Sequence, residues 1–199
     1  MFEQTKAAQR RALDSAFVKR YFVGDGIDVG CGHDSLRRSM NRFPRITSIM
    51  DFDRQHGDAQ TMASVEDDSF DFLHASHILE HLVEPTEALK NWIRVVRPGG
   101  HLIITLPDWE MYEQRHWPSR FSGEHLTAWT VDPMEFVRGE APVSVPLMSV
   151  QYGLVLALKS LVIMERLAVI RDHFDPAITT DQTLGPAECC IEIVLRKRP

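Results

Sequence analysis

The sequence has few of the features that mark secreted or disulfide-stapled proteins. It contains only three cysteines, and two of them, Cys189 and Cys190, are adjacent, which does not suit a disulfide framework. Its first residues are polar and include no apolar core of a signal peptide. We therefore expect reduced thiols and a cytoplasmic location.

Positive charge and long apolar runs are also scarce. Lys and Arg number 22 against 28 Asp and Glu, so no nucleic-acid partner is expected. The one long apolar stretch, 143–164, contains Gln151, Gly153 and Lys159, whereas a spanning helix needs ~20 strongly apolar residues. We predict a buried or interface helix there and no transmembrane segment. A homodimer contact, or contact with lipid-linked substrates, is the alternative.

What remains is an alternation of short apolar strands with helical patterns. Strands are predicted at 27–29, 46–52, 70–76, 101–107 and 188–197. Helices are predicted at 3–22, 35–43 and 85–96, followed by a long apolar helix that ends before Pro176. This order predicts an α/β fold, a Rossmann-like and mostly parallel sheet with helices on both faces. Ligands of such sheets bind at the carboxyl ends of the strands.

The length of 199 residues predicts one domain, 1–199. Within it, 24–108 would be the cofactor-binding core and 187–198 the final strand. Residues 109–147, which are rich in proline and aromatic side chains, would form a lid or substrate insertion after the fourth predicted strand. Packing is the ordinary role for its aromatic side chains, and covering an acceptor is the alternative.

A glycine turn follows the first strand, which carries Asp28. The turn reads Gly30-Cys31-Gly32, and its glycines allow backbone conformations and close ligand approach that a Cβ would prevent. The helix predicted after it would present free N–H groups to an anion. Short glycine turns occur in many folds, so the turn alone does not identify a ligand.

Acidic residues after the second strand make the turn more informative. Asp51 lies about 20 residues beyond Gly30, where dinucleotide-binding folds place a carboxylate that accepts hydrogen bonds from ribose hydroxyls. Asp53 is the second candidate, and a solvated turn carboxylate is the alternative. Ser35 occupies the third glycine position of a nicotinamide-type loop, which argues against a pyrophosphate cradle.

Four segments then resemble the class I methyltransferases, and within them the type 11 group. They are DVGCG (28–32), HGDAQTM (56–62), SFDFLHASHILEHL (69–82) and RVVRPGGHLIITLPD (94–108). The resemblance implies S-adenosylmethionine as the methyl donor. It also implies that Asp58 meets the adenine amino group and that Ala59 offers its backbone N–H to the ring.

The chain departs from that family's pattern in two places. Asp34 replaces the last glycine of the first motif, where its charge could disturb the donor carboxylate unless it turns away to cap a helix. Only residues 53–57 separate the second strand from Asp58, so the usual next helix and strand would be missing and the sheet shortened in the middle. Similarly shortened type 11 proteins, with an insertion like EHLTAW (124–129), imply a small-molecule acceptor, for which a saccharide is one candidate.

Polar residues cluster at the end of the third strand. Ser76 and His77 should face the crevice near the cofactor, and His77 is a candidate general base for a hydroxyl acceptor. His125, on the predicted lid, is the second candidate, and His116 is a further rival. Glu80 and His81 have an alternative role, which is to hold the loop by hydrogen bonds.

Two other functions remain open at this point. Residues 77–81 spell H-x-x-E-H, the pattern of a zinc hydrolase, although the preceding strand and Pro85 leave little room for the helix it needs. We therefore predict no metal site. A non-catalytic protein that binds S-adenosylmethionine is the other alternative, because of Asp34 and the shortened middle.

Overall fold

A six-stranded sheet forms the centre of the protein, seen in a computed structural model that describes residues 3–131, 146–151 and 158–199. The strands in chain order are β1 (Gly24–Val29), β2 (Ile46–Phe52), β3 (Phe70–Ser76), β4 (Val96–Pro107), β5 (Ala128–Thr130), β6 (Leu147–Ser149), β7 (Val162–Asp172) and β8 (Glu188–Lys197). The main sheet has the order β2-β1-β3-β4-β8-β7, and β5 pairs with β6 separately.

Strand direction divides the main sheet into two parts. β2, β1, β3 and β4 run parallel, whereas β8 is antiparallel to β4 and β7 is antiparallel to β8. The predicted α/β fold with a mostly parallel sheet is confirmed. Because parallel strands end at one edge, the segments after β1, β2, β3 and β4 meet there.

Helices cover both faces because side chains alternate along each strand. One face packs against α1 (Glu3–Ala12), α2 (Ser15–Tyr21) and a 3₁₀ helix, Leu36–Arg42. The other face packs against α3 (Pro85–Val95), whose buried side chains include Trp92. Both cores are apolar, so their burial supplies the main stabilisation of the sheet.

The predicted helices near the N-terminus differ from the observed ones. The helix predicted over 3–22 is two helices, because Asp14 caps α2 by accepting the N–H groups of Ala16 and Phe17. Leu13, predicted to share an apolar face with Phe17, is 89% exposed at the break. The segment predicted as a helix over 35–43 forms the 3₁₀ helix instead.

The long apolar helix is the largest correction. Residues 162–172 form strand β7, which pairs with β8, so the predicted helix does not continue over these residues. Of the described residues that precede β7 in the predicted helix, Val150, Gln151 and Leu158 are helical. β6 and β7 lie on either side of residues 152–157, which are outside the described part, as are residues 132–145 of the predicted lid. Among the described residues, no helix has the length and apolar character to cross a membrane.

The shortened middle is seen directly. Residues 53–69, all of them described, contain turns but no helix or strand, so β2 is an edge of the sheet. The final strand, predicted at 187–198, is β8.

Candidate active site

The turn after β1 is shaped by two glycines with different surroundings. Gly30 has φ +67°, and an added Cβ would lie 2.6 Å from the Ile78 side chain. Gly32 has φ +50°, and an added Cβ would meet nothing within 4 Å. Gly30 therefore serves the packing of the turn against the β3 end, whereas Gly32 lies beside open space that a ligand could enter.

Asp28 supports this turn from below. It is fully buried, its Oδ2 accepts the Leu36 N–H at 2.7 Å, and its Oδ1 lies 2.7 Å from His74 Nδ1. Arg11 Nη1 lies 3.0 Å from His74 Nε2 and can only donate, so Nδ1 carries the imidazole proton and donates to Asp28. Asp28 thus fixes the start of the 3₁₀ helix, and both of its carboxylate oxygens accept hydrogen bonds from groups of the protein.

The same arginine joins α1 to the sheet. Arg11 donates from Nε to Glu192 Oε2 at 2.7 Å and from Nη2 to Thr105 Oγ1 at 2.8 Å. Burial alone would raise the pKa of Glu192, but Arg11 and Arg10 lower it to about 2. We call the connected group the arginine network. Its members are Arg10, Arg11, Asp28, His74, Thr105 and Glu192.

Asp51 and Asp53 lie beside the turn, as the chain order predicted. The Asp51 side chain is 32% exposed, and its Oδ1 accepts the Ser35 hydroxyl at 2.6 Å. Asp53 Oδ2 accepts the Gly32 N–H at 2.8 Å, which ties the end of β2 to the turn. Asp51 therefore presents a carboxylate at the crevice, whereas Asp53 acts on the shape of the turn.

Cys31 shares this corner but has no acid-base chemistry near neutral pH. Its side chain is buried, and burial together with the charges of Asp28, Asp51 and Asp53 raises the pKa of the Cys31 thiol to about 12. The residue is a neutral thiol that packs under the turn.

Asp34 turns away from the crevice. Its Oδ2 accepts the backbone N–H of Thr5 at 3.0 Å, and its Oδ1 accepts the Thr5 hydroxyl. The carboxylate therefore caps the first turn of α1, where free N–H groups attract negative charge. The helix it caps is α1 rather than the segment that follows it in the sequence.

Asp58 and Ala59 lie on the loop after β2. Asp58 is exposed, and its Oδ1 accepts the Gln60 N–H at 2.8 Å. The Ala59 carbonyl accepts the Trp92 indole N–H at 2.8 Å, which fixes the loop to α3. The Ala59 N–H makes no hydrogen bond within the described part of the chain, so it can serve a ligand.

Ser76 and His77 stand at the carboxyl end of β3. His77 has φ +55°, an uncommon conformation for a residue with a Cβ, and its N–H donates to the Thr105 carbonyl. Its Nδ1 lies 3.1 Å from Ser76 Oγ. Burial, and after it the electrostatic effect of nearby basic side chains, lowers the pKa of His77 to about 3. A base with that pKa is a weak one at neutral pH.

His125 lies in a different environment, although it comes from the predicted insertion. Its side chain is 5% exposed, and its Nδ1 is 2.6 Å from Glu113 Oε1. The Glu113 carboxylate accepts a hydrogen bond from the Nδ1–H group of His125, which leaves the lone pair on Nε2. The His81 ring lies against it, with 4.9 Å between ring centroids.

Glu80 completes this group, which we call the histidine–carboxylate cluster (Glu80, His81, Glu113 and His125). Glu80 is fully buried, and neither of its carboxylate oxygens has a hydrogen-bond partner among the described residues. Burial, with the charge of Glu113, raises the pKa of Glu80 to about 8. Its backbone carbonyl accepts the N–H groups of Leu126 and Thr127, which brings the insertion to the β3 loop.

The H-x-x-E-H pattern does not form a zinc-hydrolase site. Only Leu79–His81 are helical, in one 3₁₀ turn, and His77 precedes it in a left-handed conformation. The two histidines therefore do not share a helix face. Glu80 and His81 do hold the loop, since His81 Nδ1 donates to the Glu124 carbonyl at 2.9 Å.

Sequence reasoning missed the partners that reach the site from far along the chain. Glu113 gives no local signal, and Arg11 lies in an ordinary-looking polar helix. His74 could have been found, because it is an ionisable residue inside an apolar strand that should be buried on both faces. Among the predicted lid aromatics, Trp109 and Trp129 are buried, whereas Tyr112, Trp117 and Phe121 are half-buried.

Comparison with known proteins decides the family. A family model described as a methyltransferase domain matches residues 2–135. The chain belongs to the methyltransferase-domain family. The resemblance found in the sequence motifs is thereby confirmed.

Other similarities agree with this assignment. An uncharacterized 37.1 kDa protein in transposon TN4556 of Streptomyces fradiae is 41% identical over 87 residues, which cover 44% of this chain. The match covers 24% of that relative, so the chain spans about a quarter of its length.

Three solved structures share the fold at low sequence identity. A S-adenosylmethionine-dependent methyltransferase from Mesorhizobium loti has TM-score 0.57 at 13% identity, over 95% of this chain and 97% of that one. A SAM-dependent methyltransferase from Archaeoglobus fulgidus has TM-score 0.57 at 14% identity, over 98% and 94%. The N-methyltransferase NodS from Bradyrhizobium japonicum, in complex with S-adenosyl-L-homocysteine, has TM-score 0.55 at 11% identity, over 96% and 87%.

Proposed function

We propose that this methyltransferase takes its methyl group from S-adenosylmethionine and transfers it to a small hydroxylated acceptor. The observation that carries the proposal is the corner where β1 and β2 end. There the open side of Gly32 adjoins the half-exposed carboxylate of Asp51. When bound, the donor supplies an electrophilic methyl group on a sulfonium.

The residues of this corner suit an adenosyl group. Asp51 can accept hydrogen bonds from ribose hydroxyls, because a partly exposed carboxylate keeps acceptor capacity beyond its bond to Ser35 and its 3.5 Å ion pair with Arg37 Nε. The free Ala59 N–H and the exposed Asp58 carboxylate match the acceptor and donor atoms at the edge of an adenine ring. Asp28, Cys31 and Asp53 shape the turn, and Ser76 and His77 line its far side.

The orientation of Asp34 removes the main objection to catalysis. Its carboxylate is bound to Thr5 in α1, so its charge does not face the site of the donor carboxylate. The non-catalytic alternative therefore loses one of the two observations that suggested it, and the shortened middle remains.

His125 is the better-placed of the two predicted bases. Glu113 holds its Nδ1 proton and directs Nε2 towards the cluster, as an orienting carboxylate does in an acid-base pair. His77, with its pKa lowered to about 3, serves better as a neutral group that lines the crevice. A saccharide is the first acceptor class to test, because half-buried Tyr112 and Phe121 can stack on a sugar face.

The cellular and assembly predictions belong to the same proposal. The three cysteines are free and buried, which supports a reducing and hence cytoplasmic location. The predicted homodimer stays a prediction.

Transfer of a radiolabelled methyl group tests the function. The chain is incubated with methyl-labelled S-adenosylmethionine and a panel of saccharides and other hydroxylated small molecules. We expect labelled product with at least one acceptor class, and loss of more than tenfold in rate for Asp51→Ala. Asp172→Ala, at an exposed position on β7, is the control. Donor binding without transfer to any acceptor pool would favour the non-catalytic alternative.

A further inference from the structure

The histidine–carboxylate cluster contains three buried carboxylate oxygens, both of Glu80 and Oε2 of Glu113, that have no hydrogen-bond partner in the part of the chain that the structure describes. Native proteins rarely leave such groups unpaired, because each costs free energy comparable to a lost hydrogen bond. The oxygens of Glu80 face two imidazole rings. A metal cation bound between this carboxylate and the two ring nitrogens would supply the missing partner.

The two histidines are already oriented for such a role. His81 Nδ1 donates to the Glu124 carbonyl at 2.9 Å, and His125 Nδ1 is 2.6 Å from Glu113 Oε1. Histidines that bind metals donate their other ring N–H to a carbonyl or carboxylate in this way, which fixes the tautomer. In both rings the remaining lone pair is on Nε2, and both Nε2 atoms face Glu80.

The spacing also suits a shared ion. Glu80 Oε1 lies 3.9 Å from His81 Nε2 and 4.0 Å from His125 Nε2. These distances are too long for hydrogen bonds. Two ligands of one zinc ion lie about 3–4 Å apart, because each bond is about 2.1 Å long.

We propose that Glu80, His81 and His125 form a binding site for a divalent transition-metal ion such as zinc, with Glu113 as the positioning residue behind His125. Two imidazoles and one carboxylate favour a transition metal over Mg²⁺, which prefers oxygen ligands. Three protein ligands leave the fourth coordination position of the ion open. The His81 side chain is 26% exposed, so solvent can reach that position.

This site differs from the H-x-x-E-H pattern, because it omits His77 and recruits His125 from the insertion. Ion binding does not depend on the proposed methyl transfer. The consequence for catalysis does depend on methyl transfer. With Nε2 bound to the ion, His125 would not act as the base, and the ion would instead lower the pKa of a bound acceptor hydroxyl.

Metal binding is measured directly on the full chain. The protein is dialysed against a chelator and then titrated with Zn²⁺ by calorimetry, with Mg²⁺ as a parallel titrant. Bound metal is counted by mass spectrometry. We expect one equivalent of Zn²⁺ per chain and at least tenfold weaker Mg²⁺ binding. Less than about 0.2 equivalents of Zn²⁺ would overturn the proposal.

Variants assign the ligands. Glu80→Gln and His125→Gln should each weaken Zn²⁺ binding more than tenfold, and Glu113→Gln about 10–100-fold. His173→Ala, which removes an exposed histidine outside the cluster, should bind as the wild type does. Wild-type affinity in both Glu80→Gln and His125→Gln would place the ion elsewhere and contradict the assignment. Thermal melts check that each variant is folded.

A cobalt spectrum gives a readout that does not depend on any variant. Co²⁺ held by nitrogen and oxygen should show visible ligand-field bands without a thiolate charge-transfer band. A strong thiolate band would put the metal on the cysteines and overturn the site.

Discussion

Two polar clusters inside the same protein differ in how well their charges are paired. In the arginine network, each buried charge meets an opposite charge or a hydrogen-bond donor, with Glu192 held by Arg10, Arg11 and Arg166. In the histidine–carboxylate cluster, the Glu80 side chain is as deeply buried but has no hydrogen-bond partner within residues 3–131, 146–151 and 158–199. Burial of an ionisable side chain alone therefore does not mark a site, whereas burial without hydrogen-bond partners does.

The arginine network and the histidine–carboxylate cluster also lie at different places relative to the sheet. The arginine network joins α1 to β3, β4 and β8 beneath the glycine turn, where it supports Asp28. The histidine–carboxylate cluster lies beyond the end of β3, where the insertion meets the strand loops. Support for the turn and candidate chemistry therefore come from different polar groups.

The largest expected effect is on the arginine network. Arg11→Met removes one of the three arginines that pair with Glu192 and leaves His74 Nε2 and the Thr105 hydroxyl without the donor they bond to. It should lower the free energy of unfolding by about 3–5 kcal/mol. Urea unfolding of the two proteins at neutral pH measures the difference. A loss below about 1 kcal/mol would show that the network does not hold α1 to the sheet.

Acid should break the same network in the wild type. Because the folded pKa of Glu192 is about 2, against an ordinary value of 4.5, its contribution is present above pH 4.5 and is lost as the pH falls towards 2. The shift corresponds to about 3 kcal/mol. Unfolding measured across that range should give a steeper decline in the wild type than in Glu192→Gln, which is expected to be less stable at pH 6.

Replacing a member of the histidine–carboxylate cluster should raise the free energy of unfolding, whereas replacing Arg11 should lower it. Glu80→Met removes two unsatisfied oxygens and keeps the side-chain length, so the metal-free variant should gain about 1–3 kcal/mol in free energy of unfolding at pH 7. Urea unfolding in the presence of a chelator makes the measurement. A loss of stability would mean that Glu80 has a partner, and the contrast between the clusters would fail.

The smallest effect is expected at Asp34. Asp34→Ala removes the cap of α1 and should lower the free energy of unfolding by about 1 kcal/mol. Affinity for S-adenosylhomocysteine should stay within twofold of the wild type, because the side chain faces α1. Tighter binding in the variant would show instead that the Asp34 charge opposes the donor.

Local patterns predicted the parallel core well. The alternation of apolar segments placed β2, β3 and β8 at their observed bounds, and the glycine turn and Asp51 share one corner as their spacing indicated. The absence of a helix and strand after β2 was predicted because only residues 53–57 separate the second strand from Asp58. These features depend on short stretches of chain, where residue type and conformation are closely linked.

Features set by distant partners were not predicted. Residues 162–172 became a strand because β8 offered a pairing edge, and an apolar run alone does not separate a strand from a helix. Glu113 joins His125 across a folded loop, and Arg11 reaches His74 across the sheet. No spacing in the sequence indicates such contacts.

Equilibrium binding of S-adenosylhomocysteine, followed by calorimetry, tests the proposed donor site most directly. We predict micromolar affinity for the wild type, at least tenfold weaker binding by Asp51→Ala, and unchanged binding by Asp172→Ala. A folded wild-type chain without affinity for this nucleoside, or an Asp51→Ala variant that binds it undiminished, would contradict the account.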